Sequence, residues 1–281
     1  MPQSATLLDG RGLADELRAQ LLHTASVRRE ELGRSVRIAL VAVGDDPTAA
    51  LYAGQVARSC LRTGLDCLLR WFPATTSETE LRDHVEAMGA EVDVDGVVLL
   101  LPLPSHIRQR VVTEVLPPQK DIDGLGPRNA GRLMIGFPSF VPSTADAALE
   151  LLRFSGIRLE GQNAVVVGRS TAGGKPAAVL FLRENATVTL CHSHTPDLAS
   201  ITRQADLIFS SVGRYHCITG SMVKSGAVVL DAGMNSMNGK LVGDVEFASV
   251  REVAGYVTPV PGGLGPLTNL MLIRHALVGP S

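Results

Sequence analysis

Between Pro259 and Thr268 the chain reads Pro-Val-Pro-Gly-Gly-Leu-Gly-Pro-Leu-Thr, three prolines and three glycines in ten residues. Such residues fix backbone geometry and let the main chain approach a flat or phosphorylated ligand closely. A plain loop-to-helix transition needs fewer of them. Thr268 stands at the mouth of an apolar helix expected over Asn269–Leu277. A second string, Gly168-Arg169-Ser170-Thr171-Ala172-Gly173-Gly174-Lys175-Pro176, lies between an apolar strand and a helix expected over Ala177–Arg183. Strand, glycine-rich turn and helix N-terminus together offer main-chain N–H groups and a helix dipole to a phosphate. The spacing is not GxGxxG, so the generic dinucleotide fingerprint is only partly met. Arg169 and Ser170 place a guanidinium and a hydroxyl beside a ribose phosphate. At the end of the next strand, Cys191-His192-Ser193-His194-Thr195 occupies the place where a Rossmann domain shows a ribose-binding carboxylate. No carboxylate stands there, and with Arg169 nearby this favours NADP over NAD. For His194 the better reading is a plain loop histidine, and without partners these histidines make no zinc site.

The elements that must position these strings alternate along the chain. Strand-length apolar runs fall at Arg37–Val43, Asp66–Phe72 and Gly96–Leu101, and again at Ala164–Val167, Thr187–Cys191, Leu207–Ser211, Ala227–Asp231 and Tyr256–Thr258. Helical periodicity fills Leu13–Glu31, Thr48–Thr63, Thr79–Met88 and His106–Val115, with Ser77 and Glu80 spaced as a capping box. Runs such as Ala-Val-Val-Val are apolar on both faces, which suits a parallel sheet covered by helices. The pattern predicts an α/β, doubly wound architecture used twice. Ser143 or Thr144 can cap a helix with Ala147, Ala148, Leu151 and Leu152 on one face, so the joint is placed near residue 142. The expected division is 1–142 with a returning C-terminal helix, 266–281, against a cofactor domain over 143–265.

A chain of 281 residues with 45% hydrophobic and 19% charged residues can bury two such cores. The net charge of −2 and the lack of a basic block argue against nucleic acid as the main ligand. No apolar run approaches the ~20 residues that span a bilayer, and Met1–Gly10 lacks the regions of a signal peptide. A cytoplasmic chain with no membrane partner is expected. Cys60, Cys67, Cys191 and Cys217 show no CxxC spacing and read as buried thiols.

These motifs converge on one family. Gly168-Arg169-Ser170, Cys191-His192-Ser193-x-Thr195, Asp231-x-Gly233-x-Asn235, Gly243-Asp244-Val245 and the 259–268 run resemble the methylenetetrahydrofolate dehydrogenase/cyclohydrolase family. Val43-Gly44-Asp45-Asp46-Pro47, Tyr52, Leu101-Pro102-Leu103-Pro104 and Lys120-Asp121-Ile122-Asp123-Gly124 with Asn129 are similar to the same family, in order from about residue 8 to 278. The resemblance implies a homodimer of chains with an N-terminal catalytic domain and a C-terminal NADP-binding Rossmann domain. It implies NADP-dependent oxidation of 5,10-methylenetetrahydrofolate, followed in most members by hydrolysis of the methenyl product. The catalytic positions that it assigns are Tyr52, Val56, Leu100 and Asp123, with Tyr52, Leu100, Asp123, Pro261, Gly262 and Gly263 on the substrate. Its cofactor positions are Gly168, Arg169, Ser170, Gly174, His192, Ser193, Thr195, Val212, Gly213 and Asn235; no metal is implied.

The match fails where the chemistry sits. Val56 stands where the family places a catalytic lysine, and Leu100 where it places a glutamine. Ala49 replaces a serine, and the family's Pro-Cys-Thr-Pro-x-Gly has become Pro142-Ser143-Thr144-Ala145-Asp146-Ala147. Arg58, two residues past Val56, points from another side of a helix. Hydride transfer needs alignment and no obligatory side-chain proton; cyclohydrolysis needs an activated water and a proton donor. A dehydrogenase with cyclohydrolase activity lost or weak is therefore expected. An NADP-dependent enzyme for another imine-type substrate (an imine reductase or amine dehydrogenase) and a non-catalytic folate- or NADP-binding relative remain alternatives.

Overall fold

A computed structural model describes residues 4–237 and 240–280. In chain order the first elements are β1 (Thr6–Leu7), α1 (Gly10–Leu32), β2 (Arg37–Val43), α2 (Pro47–Thr63), β3 (Asp66–Phe72), α3 (Glu78–Ala90), β4 (Gly96–Leu99), α4 (Gln109–Glu114) and α5 (Pro127–Ile135). There follow α6 (Ser143–Phe154), β5 (Asn163–Val167), α7 (Gly174–Arg183), β6 (Thr187–Cys191), α8 (Leu198–Thr202), β7 (Leu207–Ser210), β8 (Val228–Asp231), β9 (Asn235–Met237), β10 (Lys240–Val242), α9 (Phe247–Arg251), β11 (Tyr256–Val257) and α10 (Gly265–Val278). A 3-10 turn, Gly220–Met222, precedes β8. No helix among the described residues is long and apolar enough to cross a membrane.

The chain forms two compact units, 15–143 with 269–281 and 1–14 with 144–268. The first is built on a parallel three-stranded sheet ordered β3-β2-β4. Its central strand is buried on both faces from Ile38 to Val43, which is why that run is apolar without alternation. Val41, Val43, Leu81, Val85, Val97, Leu99 and Val112 share its core. The second unit is a parallel six-stranded sheet ordered β1-β11-β8-β7-β5-β6, with Val165, Val167, Ile208, Val229 and Val257 in its core. β5 has β6 on one side and β7 on the other. Their C-terminal ends are therefore a switch point, where parallel sheets of this kind take ligands.

Several expected boundaries shift, each for a local reason. α10 begins at Gly265, not Asn269, because Pro266 falls in its first turn, where a missing N–H costs nothing. Thr268 consequently lies inside the helix, its hydroxyl donating to Leu264 O. α4 starts only at Gln109, since Arg108 is extended. α5 falls where no element is expected; Pro127 takes its first turn, where a missing N–H costs nothing. Residues 4–14 group with the second sheet, because β1 pairs with β11 in parallel. The capping box forms as spaced, with Ser77 Oγ accepting from Glu80 N and Glu80 accepting from Ser77 N.

Candidate functional site

On the first unit, Asp46 accepts from Thr48 and Ala49 N–H and starts α2, with Pro47 as its first residue. One turn on, Tyr52 is half-buried and hydrogen-bonded to the Ser143 hydroxyl. Burial, then the charge of Asp123, push the Tyr52 phenol up, so it stays protonated as a hydrogen-bonding group. Asp123 Oδ1 accepts from Ser143 N–H at 3.0 Å. That bond satisfies one of the orphan donors opening α6, so Asp123 caps a helix that the sequence assigns to Ser143 or Thr144. Burial holds the Asp123 carboxyl above its ordinary value, against the Ser143 N–H and hydroxyl and the charge of His275, which pull the other way. Asp121 anchors the turn from below, accepting from Leu125 N (3.0 Å), Gly126 N (2.8 Å) and Asn129 Nδ2 (2.9 Å).

Val56 and Leu100 are 0% and 1% exposed. Val56 lies on the buried face of α2 with Ala49, Ala53 and Cys60, and Leu100 N–H donates to Val41 O. Neither carries a polar atom on its side chain. Arg58 is exposed and its Nη1 folds back over Gly54, 3.3 Å from where a Cβ there would lie. A wide, open depression of about 630 Å³ on this unit is lined by Pro118, Arg128, Arg132 and Phe140 among others, and by none of the four predicted catalytic positions.

On the second unit, the turn after β5 is closed by glycine. Gly168 has φ +119, and a Cβ there would meet Ser211 O at 2.2 Å. A Cβ on Gly174 would meet Gly168 O at 1.8 Å, and one on Gly173 would meet Ser211 Oγ at 2.4 Å. α7 opens at Gly174 without a side-chain cap; Lys175 N–H donates to Ser170 O, Pro176 has no N–H and Ala177 N–H donates to Gly173 O, so the Gly174 N–H and the positive end of the helix dipole are what this turn offers an anion. Arg169 and Ser170 are exposed beside it, and among the described residues no carboxylate pairs with Arg169. After β6, His192 N–H donates to Thr195 Oγ1 at 2.8 Å and His194 N–H to His192 Nδ1 at 3.1 Å, leaving Ser193 exposed at the tip. Among the described residues no cluster of His, Cys, Asp or Glu forms a metal site.

The loop after β7 is held by a residue that appears in the sequence only as part of a motif. Asp244 is fully buried and accepts from Val212 N (2.7 Å), Arg214 N (2.9 Å) and Ser210 Oγ (3.1 Å), fixing Val212 and Gly213. Asn235, assigned to the cofactor, spends its amide on Gly243 O and Asp244 Oδ1. Asp231 in turn accepts from Gly233, Asp244 and Val245 N–H. Pro261 is exposed on the 259–263 turn, whose Gly262 O accepts from Gly10 N and whose Gly263 has no room for a Cβ against Thr258.

Asp121 and Asp231 are both pushed up to about 6 by burial, against the donors each accepts. The native chain therefore holds protons that the unfolded chain, with its carboxyls at an ordinary 3.8, has released. This contribution is complete below pH ~4 and is lost as pH rises through ~6. Denaturant midpoints taken from pH 4 to 7 are expected to fall more steeply for the wild type than for Asp231→Asn. Two pK units correspond to a difference of about 3 kcal/mol across that window. Parallel curves would overturn the assignment.

A parallel sheet with a glycine turn and an open helix N-terminus at its switch point defines a dinucleotide-binding α/β protein, here joined to a second α/β unit. The chain belongs to the tetrahydrofolate dehydrogenase/cyclohydrolase family: residues 8–123 match its catalytic domain and 142–279 its NAD(P)-binding domain. It is 46% identical over 275 residues to the bifunctional protein FolD of Geobacillus thermodenitrificans, covering 98% of this chain and 96% of that one. The crystal structure of bifunctional FolD from Campylobacter jejuni superposes with a TM-score of 0.93 at 36% identity, covering 98% of both chains. The FolD of Trypanosoma brucei, solved with NADP cofactor and inhibitor, gives 0.93 at 35%, covering 99% of this chain and 97% of that one.

Proposed function

We propose that this protein oxidises 5,10-methylenetetrahydrofolate with NADP, and that its hydrolysis of the methenyl product is lost or weak. One observation carries the second half. Val56 and Leu100, both buried and apolar, stand at the two positions where the family places its lysine and glutamine, on a frame that keeps Tyr52 and Asp123. General acid–base groups contribute about 10²–10⁴-fold in rate, and a valine and a leucine move no proton.

Supporting NADP, the residues present fit a dinucleotide: Gly168, Gly173 and Gly174 let the turn after β5 fold tightly on itself into the start of α7, where any Cβ would collide with Ser211 or Gly168. The Gly174 N–H and the dipole of α7 face phosphate oxygens, with Arg169 and Ser170 on the ribose phosphate and the 192–195 turn carrying no acid to repel it. When bound, the nicotinamide supplies the hydride acceptor. The chain's own task is then alignment. As a carboxylate, Asp123 accepts the paired N–H groups of a pterin edge, and protonated Tyr52 hydrogen-bonds beside it. A homodimer belongs to the same reading.

The test is absorbance at 340 nm with NADP and methylenetetrahydrofolate, alongside the decay of methenyltetrahydrofolate. NADPH is expected to form readily, while the methenyl compound decays little faster than in buffer. Hydrolysis well above the spontaneous rate would refute the loss. The apolar pair also favours a less polar imine-type substrate. No NADPH, together with a melting temperature raised by NADP, turns the choice to that second reading.

A further inference from the structure

Helix α10 brings to the substrate unit a buried titratable residue that the proposed reaction leaves unused. His275 is 2% exposed, and its Nδ1 lies 2.7 Å from the main-chain O of Ile122, the residue before Asp123. A carbonyl only accepts, so Nδ1 carries a proton, and the ring's tautomer and orientation are fixed. Phe140 packs against the same ring at 5.5 Å between centroids. We propose that His275 is a positioning residue for Asp123, holding the peptide that aims the carboxylate and, when protonated, balancing its charge.

The rest of the turn is already fixed, which leaves this peptide as the point of control. Asp121 holds the Leu125 and Gly126 side, and Gly124 (φ +61) is pressed against Phe140 O, where a Cβ would approach to 2.3 Å. The Ile122–Asp123 peptide runs between them, and its carbonyl is the acceptor of the His275 ring. The titratable groups facing Asp123 are Tyr52 from α2, Asp121 from its own turn and His275 from α10; Ser143 of α6 adds neutral donors. Of these, only His275 can be a cation. A buried carboxylate without a countercharge takes up a proton and then no longer accepts two N–H bonds from a ligand.

Three substitutions separate the two roles. His275→Asn keeps a donor near the Nδ1 position without the charge, His275→Gln places its amide where Nε2 lies, and His275→Leu keeps neither. Steady-state kinetics of NADPH formation across pH are the readout. For His275→Leu, KM for methylenetetrahydrofolate is expected to rise at least tenfold, kcat to change less, and KM for NADP to stay within twofold. His275→Asn is expected to restore KM to within about threefold of the wild type. In both, the acid limb of kcat/KM moves to higher pH, because Asp123 loses the His275 charge that holds its carboxyl down.

A wild-type KM and acid limb in His275→Leu, or a rise in the NADP KM in step with that for folate, overturns the inference. If His275→Leu does not fold, the other pair decides. Asn near the wild-type KM and Gln well above it support the inference, and equal values overturn it. The inference rests on the folate reading, and the two fail differently. A wild type that turns over no methylenetetrahydrofolate removes both, whereas an active wild type indifferent to His275 removes this one alone.

Discussion

Gly174→Ala is expected to abolish NADP binding. The added Cβ would lie 1.8 Å from Gly168 O and 2.4 Å from Gly168 C, inside any possible contact. That carbonyl has little freedom to retreat, since Gly168 N–H is held by Cys191 O at the end of the sheet. The helix start must move instead, and the Gly174 N–H leaves the place where phosphate would be held. Overpacking of this kind costs on the order of 1–3 kcal/mol, and here the neighbour is main chain, which puts the cost at the upper end. A ligand at 100 times its Kd stabilises the native state by about 2.7 kcal/mol, a shift of several degrees for a chain of this size. The wild type is expected to show that shift with NADP and Gly174→Ala none. Gly12→Ala is the control, because Gly12 sits inside α1 with nothing within 4 Å of its would-be Cβ and φ outside the left-handed region. There alanine should stabilise slightly, by up to about 1 kcal/mol, and leave the NADP shift intact. A normal NADP shift in Gly174→Ala would remove the glycine turn from the cofactor site.

What the sequence makes legible follows from the range of the interactions involved. Strands such as Arg37–Val43 and Asn163–Val167 are readable because a strand buried between helices needs an unbroken apolar run, which local composition records. The capping box at Ser77 is readable because both partners lie within one turn. β1 is not, since its two residues are a strand only by pairing with β11, about 250 positions later. The acceptor roles of Asp231 and Asp244 escape for the same reason. Asp244 reaches back 34 positions to Ser210, and nothing in Gly-Asp-Val says which N–H groups its carboxylate will collect. His275 is the extreme case, meeting Ile122 across 153 positions. Asn235 adds a role that its motif does not announce: its Nδ2 donates to Gly243 O and Asp244 Oδ1, tying the motif together inside the fold. Range therefore sorts the site. Turn glycines and a locally capped helix start such as that at Ser77 are visible in the chain, and the carboxylates that hold turns in place are visible only in three dimensions.

Val56→Lys is expected to destabilise the fold strongly, and Val56→Lys with Leu100→Gln to recover part of that loss and gain methenyltetrahydrofolate hydrolysis. Val56 is sealed among Ala49, Ala53 and Cys60, so a lysine there loses its water and finds no carboxylate on the buried face of α2. Uncompensated buried charge costs about 3–5 kcal/mol, and the amine answers by losing its proton. A neutral, tunable amine is what water activation needs, provided a partner orients it. Glutamine at position 100 supplies an amide oxygen to accept from that amine. If the two positions face one another as the family pattern implies, the double-mutant cycle shows a favourable coupling of about 0.5–3 kcal/mol. Hydrolysis is then expected to rise at least tenfold over the wild type, short of the full 10²–10⁴ because Ala49 and Ser143 also depart from the family pattern. The measurements are denaturant midpoints for the four members of the cycle and the decay of methenyltetrahydrofolate with each. Additive stabilities and no gain in hydrolysis, with tetrahydrofolate still bound, would show that the two positions do not meet. The proposed loss of hydrolysis would then not rest on this pair.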